Sequence, residues 1–153
     1  MTNYWLMKTE PAMFSIDHLQ REGKTQWDGV RNYQARNHMM HMMVGDLVLF
    51  YHSVTDTGVY GVARVCAVAH PDTSQFDEKD EHYDPKSPRE KPRWWCVDVE
   101  FVKKFDKPVS LERLKNDPHL EGMVVRQRGS RLSVQPVSKE HFEYIRYNMA
   151  NGS

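Results

Sequence analysis

The order of patterns along this chain predicts an α+β domain built on a small β-barrel. Three observations carry that prediction. Short runs rich in β-branched and aromatic residues occupy the middle of the sequence, helical patterns are scattered around them without regular βαβ alternation, and the two central runs are apolar on both faces, as in a barrel wall. At 153 residues the chain can build one real core, so residues 1–153 are read as a single domain.

Taken in order, "YWLMK" reads as a strand and "SIDHLQREGK" as a helix, with Ser15 as cap, Ile16 and Leu19 on one face and Gly23 as stop. "WDGVRNYQARN", residues 27–37, follows with a single aliphatic side chain, Val30, so its polar groups need partners elsewhere. "HMMHMMVGD" reads as a helix end, where Met39, Met40, Met42 and Met43 surround one turn, followed by a turn at Gly45 and Asp46. "LVLFYHS" and "VYGVARVCAV" are strands joined by "TDTG".

Residues 70–93 hold four prolines, seven acids and five bases, which excludes a strand or long helix and leaves a charged loop. Such a loop inside a small domain is usually disordered or functional. It leads into "WWCVDVEFV", where alternation places Trp95, Val97, Val99 and Phe101 on the core face and Trp94, Cys96, Asp98 and Glu100 on the other. A short helix near "SLERLK", a strand in "RLSVQPV" and a closing helix from Ser138, with Phe142, Ile145 and Met149 at helical spacing, complete the reading.

The chain has 21 basic and 21 acidic residues, so no net field draws in a polyanion. Residues 103–146 nevertheless carry ten bases against six acids, and phosphate contacts are expected there. Cys66 and Cys96 lack zinc or disulfide spacing and read as buried thiols. The N-terminus resembles neither a signal peptide nor a membrane span, and a reducing, cytoplasmic setting fits.

Enzyme signatures are sparse. His52 and Ser53 are adjacent on a strand and point to opposite faces, which rules out a triad. His38 and His41 share a helical face but have no third ligand at a suggestive spacing, so no metal is expected. P-loop, dinucleotide-binding and zinc-deaminase motifs are missing from the sequence, and no cofactor is expected.

Trp27 and Trp94 are the tryptophans that periodicity does not assign to the core. Two indoles face to face would clamp an unstacked base, although either could equally cover an end of the barrel. Lys8, Thr9, Glu10, Asp28, Asn32, His52 and Ser53 sit near strand ends or turns and could supply polar groups to a rim. Each, taken singly, is also an ordinary solvated or capping residue.

"YWLMKTEP", "WDGVRNYQARN", "VGDLVLFYHS", "PRWWCVDVEFV" and "RLSVQPVS", in that order, resemble the signature blocks of the EVE domain family from about residue 3 to 146. The resemblance implies a PUA-like fold, a small mixed β-barrel with flanking helices related to YTH and ASCH domains. It also implies a pocket for a modified base in DNA or RNA. By comparison with YTH readers, Trp27 falls at the first cage tryptophan and Trp94 near the second, "MKTEP" places Lys8, Thr9 and Glu10 on the rim, and Arg126, Arg128 and Arg131 lie near phosphate.

The ligand-binding set so implied is Trp5, Lys8, Thr9, Glu10, Trp27, Asp28, Gly29, Val30, Asn32, His52, Ser53 and Trp94. In it Gly29 lets backbone approach the ligand, and Asn32 offers a donor and an acceptor to the base edge. Arg31 and Arg36 are expected to hold the segment through carboxylate pairs. Thr9 stands where serine is usual in the family, and "HMMHMM" replaces a more charged helix end.

The domain begins at once, without the basic tail of animal relatives, which favours a bacterial protein. Two other classes stay open: an enzyme acting on a modified base, and a sensor of an unrelated small molecule. Catalysis is not expected, because Glu10 precedes Pro11 in a tight turn and Asp28 lies within reach of Arg31, an ion pair that would lower its pKa.

Overall fold

The computed structural model describes residues 2–150. Six strands form one mixed sheet: β1 (Tyr4–Thr9), β2 (Lys24–Gln26), β3 (Leu47–His52), β4 (Gly58–Pro71), β5 (Trp95–Ser110) and β6 (Val134–Val137). Their order across the sheet is β2-β5-β4-β3-β1-β6. β1 and β3 are parallel, with Thr9 opposite His52, and the other neighbours are antiparallel. Register shifts interrupt both ladders of β4, including three breaks between Val62 and His70 against β5. Bulges of this kind bend a long two-stranded ribbon and supply the curvature of a small barrel.

Both faces of the sheet are apolar because each carries its own core. Trp5, Met7, Val48 and Phe50 pack on one side with Ile16, Leu19, Trp27 and Met39. Leu6, Leu49 and Tyr51, the intervening residues, pack on the other with Leu114, Phe142 and Ile145. The period-2 alternation of a strand thus feeds two cores at once.

Helices α1 (Ile16–Glu22), α2 (Tyr33–His41), α3 (Leu111–Asn116) and α4 (Lys139–Tyr144) begin on side-chain caps. Ser15 accepts from the His18 N–H at 3.2 Å while the Ser15 N–H donates to His18 Nδ1 at 2.8 Å, a capping box with histidine in the place of the usual Glu or Gln. Ser110 and Ser138 cap α3 and α4. A π-helical turn, Ile145–Met149, continues the closing helix and buries Ile145 and Met149.

The segment 27–37, to which the sequence reading assigned no helix or strand, splits into a loop and a helix. Its second half is the first part of α2, and Asn32 is the cap, its side-chain oxygen accepting from the Ala35 N–H at 2.9 Å. α2 ends at His41; Met39 and Met42 are buried, whereas Met40 and Met43 are exposed. Cys96 is buried and Cys66 only partly so, which corrects the reading of two buried thiols.

The charged segment after β4 is ordered by its own polar groups. It holds a 3₁₀ turn, Thr73–Phe76, and no strand or α-helix. Gln75 is fully buried; its amide donates to the carbonyls of Asp72 (2.6 Å) and Trp94 (2.8 Å), and its oxygen accepts from Ser87 Oγ (2.6 Å) and the Trp94 N–H (3.1 Å). One amide therefore ties both ends of the segment together and leaves no buried group unpaired at the knot.

The two central tryptophans exchange the roles that alternation assigned. Trp94 is buried at 6% exposure and Trp95 only partly buried. Trp94 lies just before β5, where the strand period does not yet apply, and its surroundings are the ordered loop.

Candidate functional site

A cleft of about 960 Å³ opens at the C-terminal end of β1. This is the upper end of the range for small-ligand sites. One side is the end of β1 and the turn after it, with Lys8, Thr9, Glu10, Met13 and Phe14; the floor is Gln26 to Arg31; the far wall is Lys79 to His82, with Ser133 at the edge. The Glu10 carbonyl accepts the N–H groups of Met13 and Phe14, both at 2.9 Å, so the turn predicted before Pro11 is present. Met13, at 65% exposure, presents an apolar side chain to the mouth.

Trp27 is anchored by its own N–H, which donates to the Val97 carbonyl at 2.8 Å, and by an edge contact to Phe50 with ring centroids 5.5 Å apart. Its indole N–H is distinctive. The other three tryptophans have theirs satisfied: Trp5 by Asp46 at 3.0 Å, Trp94 by Asp84 at 2.8 Å and Trp95 by the Pro92 carbonyl at 3.1 Å. Among the described residues no acceptor faces that of Trp27.

Gly29 has a φ of +81° and donates its N–H to Asp72 at 2.8 Å. A Cβ there would lie 2.7 Å from the His82 ring. The close approach foreseen at Gly29 is therefore made by the far wall of the cleft itself.

Arg31 fixes that wall. Its five N–H groups reach the His82 carbonyl twice (3.0 and 2.8 Å), the Val30 carbonyl (3.0 Å), Asp72 (3.1 Å) and Ser74 Oγ (3.0 Å). Asp72 is buried, which alone would raise its pKa, but hydrogen bonds from Ser74, Gly29 and Arg31 hold it below the usual range.

The expected Asp28–Arg31 pair is thus replaced by Arg31–Asp72. Asp28 is left facing the cleft without a side-chain partner, and its pKa is raised by burial and by the Asp72 and Asp80 carboxylates, against His82. Arg36 also makes no carboxylate pair; it donates to the Arg93 carbonyl at 2.8 Å and lies over the Tyr33 ring.

Of the residues proposed from sequence, Lys8, Thr9, Glu10, Trp27, Asp28, Gly29 and Val30 line this one cleft. Trp94 does not: its ring stacks on Tyr33 with centroids 4.8 Å apart, under the Arg31 guanidinium at 5.3 Å, so the expected sandwich with Trp27 is not formed. Trp5 belongs to the core, held by the buried Asp46 carboxylate, which also receives the N–H groups of Asn3 and Met43. Asn32 is occupied as the cap of α2.

His52 and Ser53 lie outside the cleft lining and do structural work. His52 accepts the first N–H of α1, from Ile16, at 3.1 Å and stacks on Tyr60; burial pushes its pKa down to about 4, as an acceptor in an apolar setting requires. Ser53 donates its N–H to the Thr9 carbonyl at 2.8 Å.

Arg126 turns away to the Lys115 carbonyl at 2.9 Å. Arg128 and Arg131 are exposed on the loop whose Ser130 carbonyl receives Lys8 Nζ at 3.2 Å, so that loop borders the cleft. Burial lowers the Lys8 pKa.

Sequence reasoning missed Met13, Phe14, Gln26, Arg31 and the wall from Lys79 to His82 as cleft residues. The signal for the wall was the length and charge of its loop.

The fold and cleft together define a small α+β domain that presents an indole without an acceptor among the described residues, and a ring of polar groups, to a ligand-sized opening. The EVE domain sequence model matches residues 3–148, and the chain belongs to that family. Thymocyte nuclear protein 1 of Rattus norvegicus is 41% identical, over 95% of this chain and 73% of that protein.

Two solved structures are also similar. A hypothetical protein from Leishmania major is 47% identical with a TM-score of 0.92, covering 98% of this chain and 95% of that one. Human THYN1 protein, solved in complex with DNA containing 5-methylcytosine, is 37% identical with a TM-score of 0.88, covering 94% and 95%. The PUA-like α+β fold is common to them. No helix among the described residues is long and apolar enough to cross a membrane.

Proposed function

We propose that this protein binds a modified nucleobase in DNA, with a methylated cytosine as the ligand class, and that it does so without chemistry on the base. The observation that carries the reading is Trp27, an indole at the cleft whose N–H has no acceptor among the described residues. The similarity to human THYN1, solved with 5-methylcytosine-containing DNA, supports this ligand class. Stacking of an extruded base on an aromatic contributes about 1–3 kcal/mol, and the polar groups beside Trp27 are placed to read the base edge.

Binding is favoured over catalysis by the state of the nucleophiles. Thr9 Oγ1 donates to the Phe14 carbonyl at 3.0 Å and so spends its proton on the main chain, and burial raises the Cys96 thiol. An Asp28–Arg31 pair takes no part in this, since Arg31 pairs with Asp72 instead. Phosphate contacts fall to Arg128 and Arg131, exposed beside the cleft, and we place the protein in the cytoplasm as a proposal from the sequence.

Fluorescence anisotropy with DNA and RNA oligonucleotides, each with and without one methylcytosine, tests the assignment. At least tenfold tighter binding of the methylated DNA is expected, with a salt slope corresponding to roughly 2–3 neutralised phosphates. Equal affinity for methylated and plain strands would remove the assignment. Recovered strands should be unchanged in mass after prolonged incubation; a new product would make the protein an enzyme.

A further inference from the structure

We infer, resting on the reader assignment above, that Asp28 reads the pairing edge of the extruded cytosine and shares a single proton with it. Trp27 and Asp28 both line the cleft, so a base stacked on that indole has the Asp28 carboxyl within the same opening as its edge. Among the described residues the carboxyl has no side-chain hydrogen-bond partner, and Arg31, three residues on, has all five N–H groups engaged elsewhere.

The chemistry of the edge sets the proton count. Cytosine presents the N4 amino group as donor and N3 as acceptor. An ionised carboxylate only accepts, so it satisfies N4–H and leaves N3 facing a negative oxygen. A carboxyl carrying one proton accepts from N4–H through one oxygen and donates to N3 through the other. Placing the same proton on N3 against a carboxylate gives a pair of identical composition. Either way the complex holds one proton more than the ionised free protein.

The surroundings of Asp28 favour that uptake. Asp72 comes from the end of β4, Asp80 and His82 from the far wall, and Arg31 is committed to Asp72. Lys8, Glu10, Lys79 and Glu81 also line the cleft. Burial and the two facing aspartates raise the Asp28 pKa in the free protein, in the direction the pair needs.

The test is the pH dependence of binding to a methylcytosine oligonucleotide between pH 5.5 and 8, in the whole protein and in Asp28→Asn, Asp28→Ala and His82→Gln, each checked for folding by circular dichroism. Wild-type affinity should fall with rising pH, approaching tenfold per unit at the alkaline end. Asp28→Asn supplies an N–H for N3 and a carbonyl for N4–H without a proton. Its affinity should be independent of pH and exceed that of the wild type at pH 8. Asp28→Ala should bind at least tenfold more weakly than Asp28→Asn, and His82→Gln should keep the wild-type slope.

A slope retained in Asp28→Asn, or one abolished in His82→Gln, overturns the inference while leaving the reader assignment intact. Wild-type protein that prefers methylcytosine at no pH overturns both.

Discussion

Trp27 and Trp94 are almost equally buried, at 7% and 6% exposure, yet they belong to different parts of the molecule's work. Trp94 is closed on every side: Tyr33 covers one face, Arg31 approaches the ring at 5.3 Å, and Asp84 takes the indole N–H. Trp27 rests edge-on against Phe50 and leaves its polar atom without a protein partner. Exposure cannot separate the two. What separates them is whether the side chain's interactions are already complete within the chain.

The largest effect that would break this comparison is on stability. Trp94→Ala removes a packed indole and one hydrogen bond to the Asp84 carboxylate, and should cost about 3–5 kcal/mol by denaturant midpoint, while binding measured well below the melting temperature stays within threefold. Trp27→Leu keeps an apolar filler over Phe50 and should instead lose at least tenfold in methylcytosine affinity. Parallel losses of stability and binding in both variants would erase the distinction.

A smaller effect tests the wall opposite Trp27. Gly29→Ala adds a Cβ 2.7 Å from the His82 ring at a φ of +81°, and should destabilise by about 1–3 kcal/mol. Adding His82→Ala should recover the part due to contact and leave the backbone part. Full recovery would mean that the left-handed conformation contributes nothing.

The smallest effect concerns the support beneath Trp27, where His52 lies 5.6 Å from Phe50. The folded pKa of His52, about 4, lies below its unfolded value near 6.5. Its contribution is therefore present above pH 6.5 and is lost as pH falls toward 4, because only the unfolded chain takes up the proton. Between pH 6.5 and 5.5 the loss should be about 1 kcal/mol. His52→Gln should flatten that part of the pH–stability curve, and an unchanged curve would assign the acid sensitivity to other groups.

The elements that local rules govern were legible in the sequence. Ser15, Ser110 and Ser138 cap the helices, Gly23 ends α1 with a φ of +86°, and β3 and β4 follow their β-branched runs. The half of the site next to these elements, Lys8 to Glu10 and Trp27 to Val30, was legible with them.

What failed depended on distant partners. Trp94 was placed by extending a strand period one residue too far, and its fate was decided by Asp84 and Tyr33. His52 and Asn32 looked like rim donors but met orphan helix N–H groups. Asp28 and Arg31, three residues apart, were a plausible pair until Asp72, 41 positions from Arg31, brought a better-buried carboxylate.

Arg31 holds the far wall through the carbonyl oxygen of His82 and makes no hydrogen bond to that residue's ring. A clamp on the main chain is indifferent to the side chains it carries. Lys79, Glu81 and the His82 imidazole can therefore be exchanged without unfastening the segment, whereas Asp80, whose carboxylate accepts the His82 N–H at 2.8 Å, has to stay. The protein has a replaceable panel facing its ligand, and exchanging positions 79, 81 and 82 around a retained Asp80 is the direct route to retargeting the cleft on an unchanged frame.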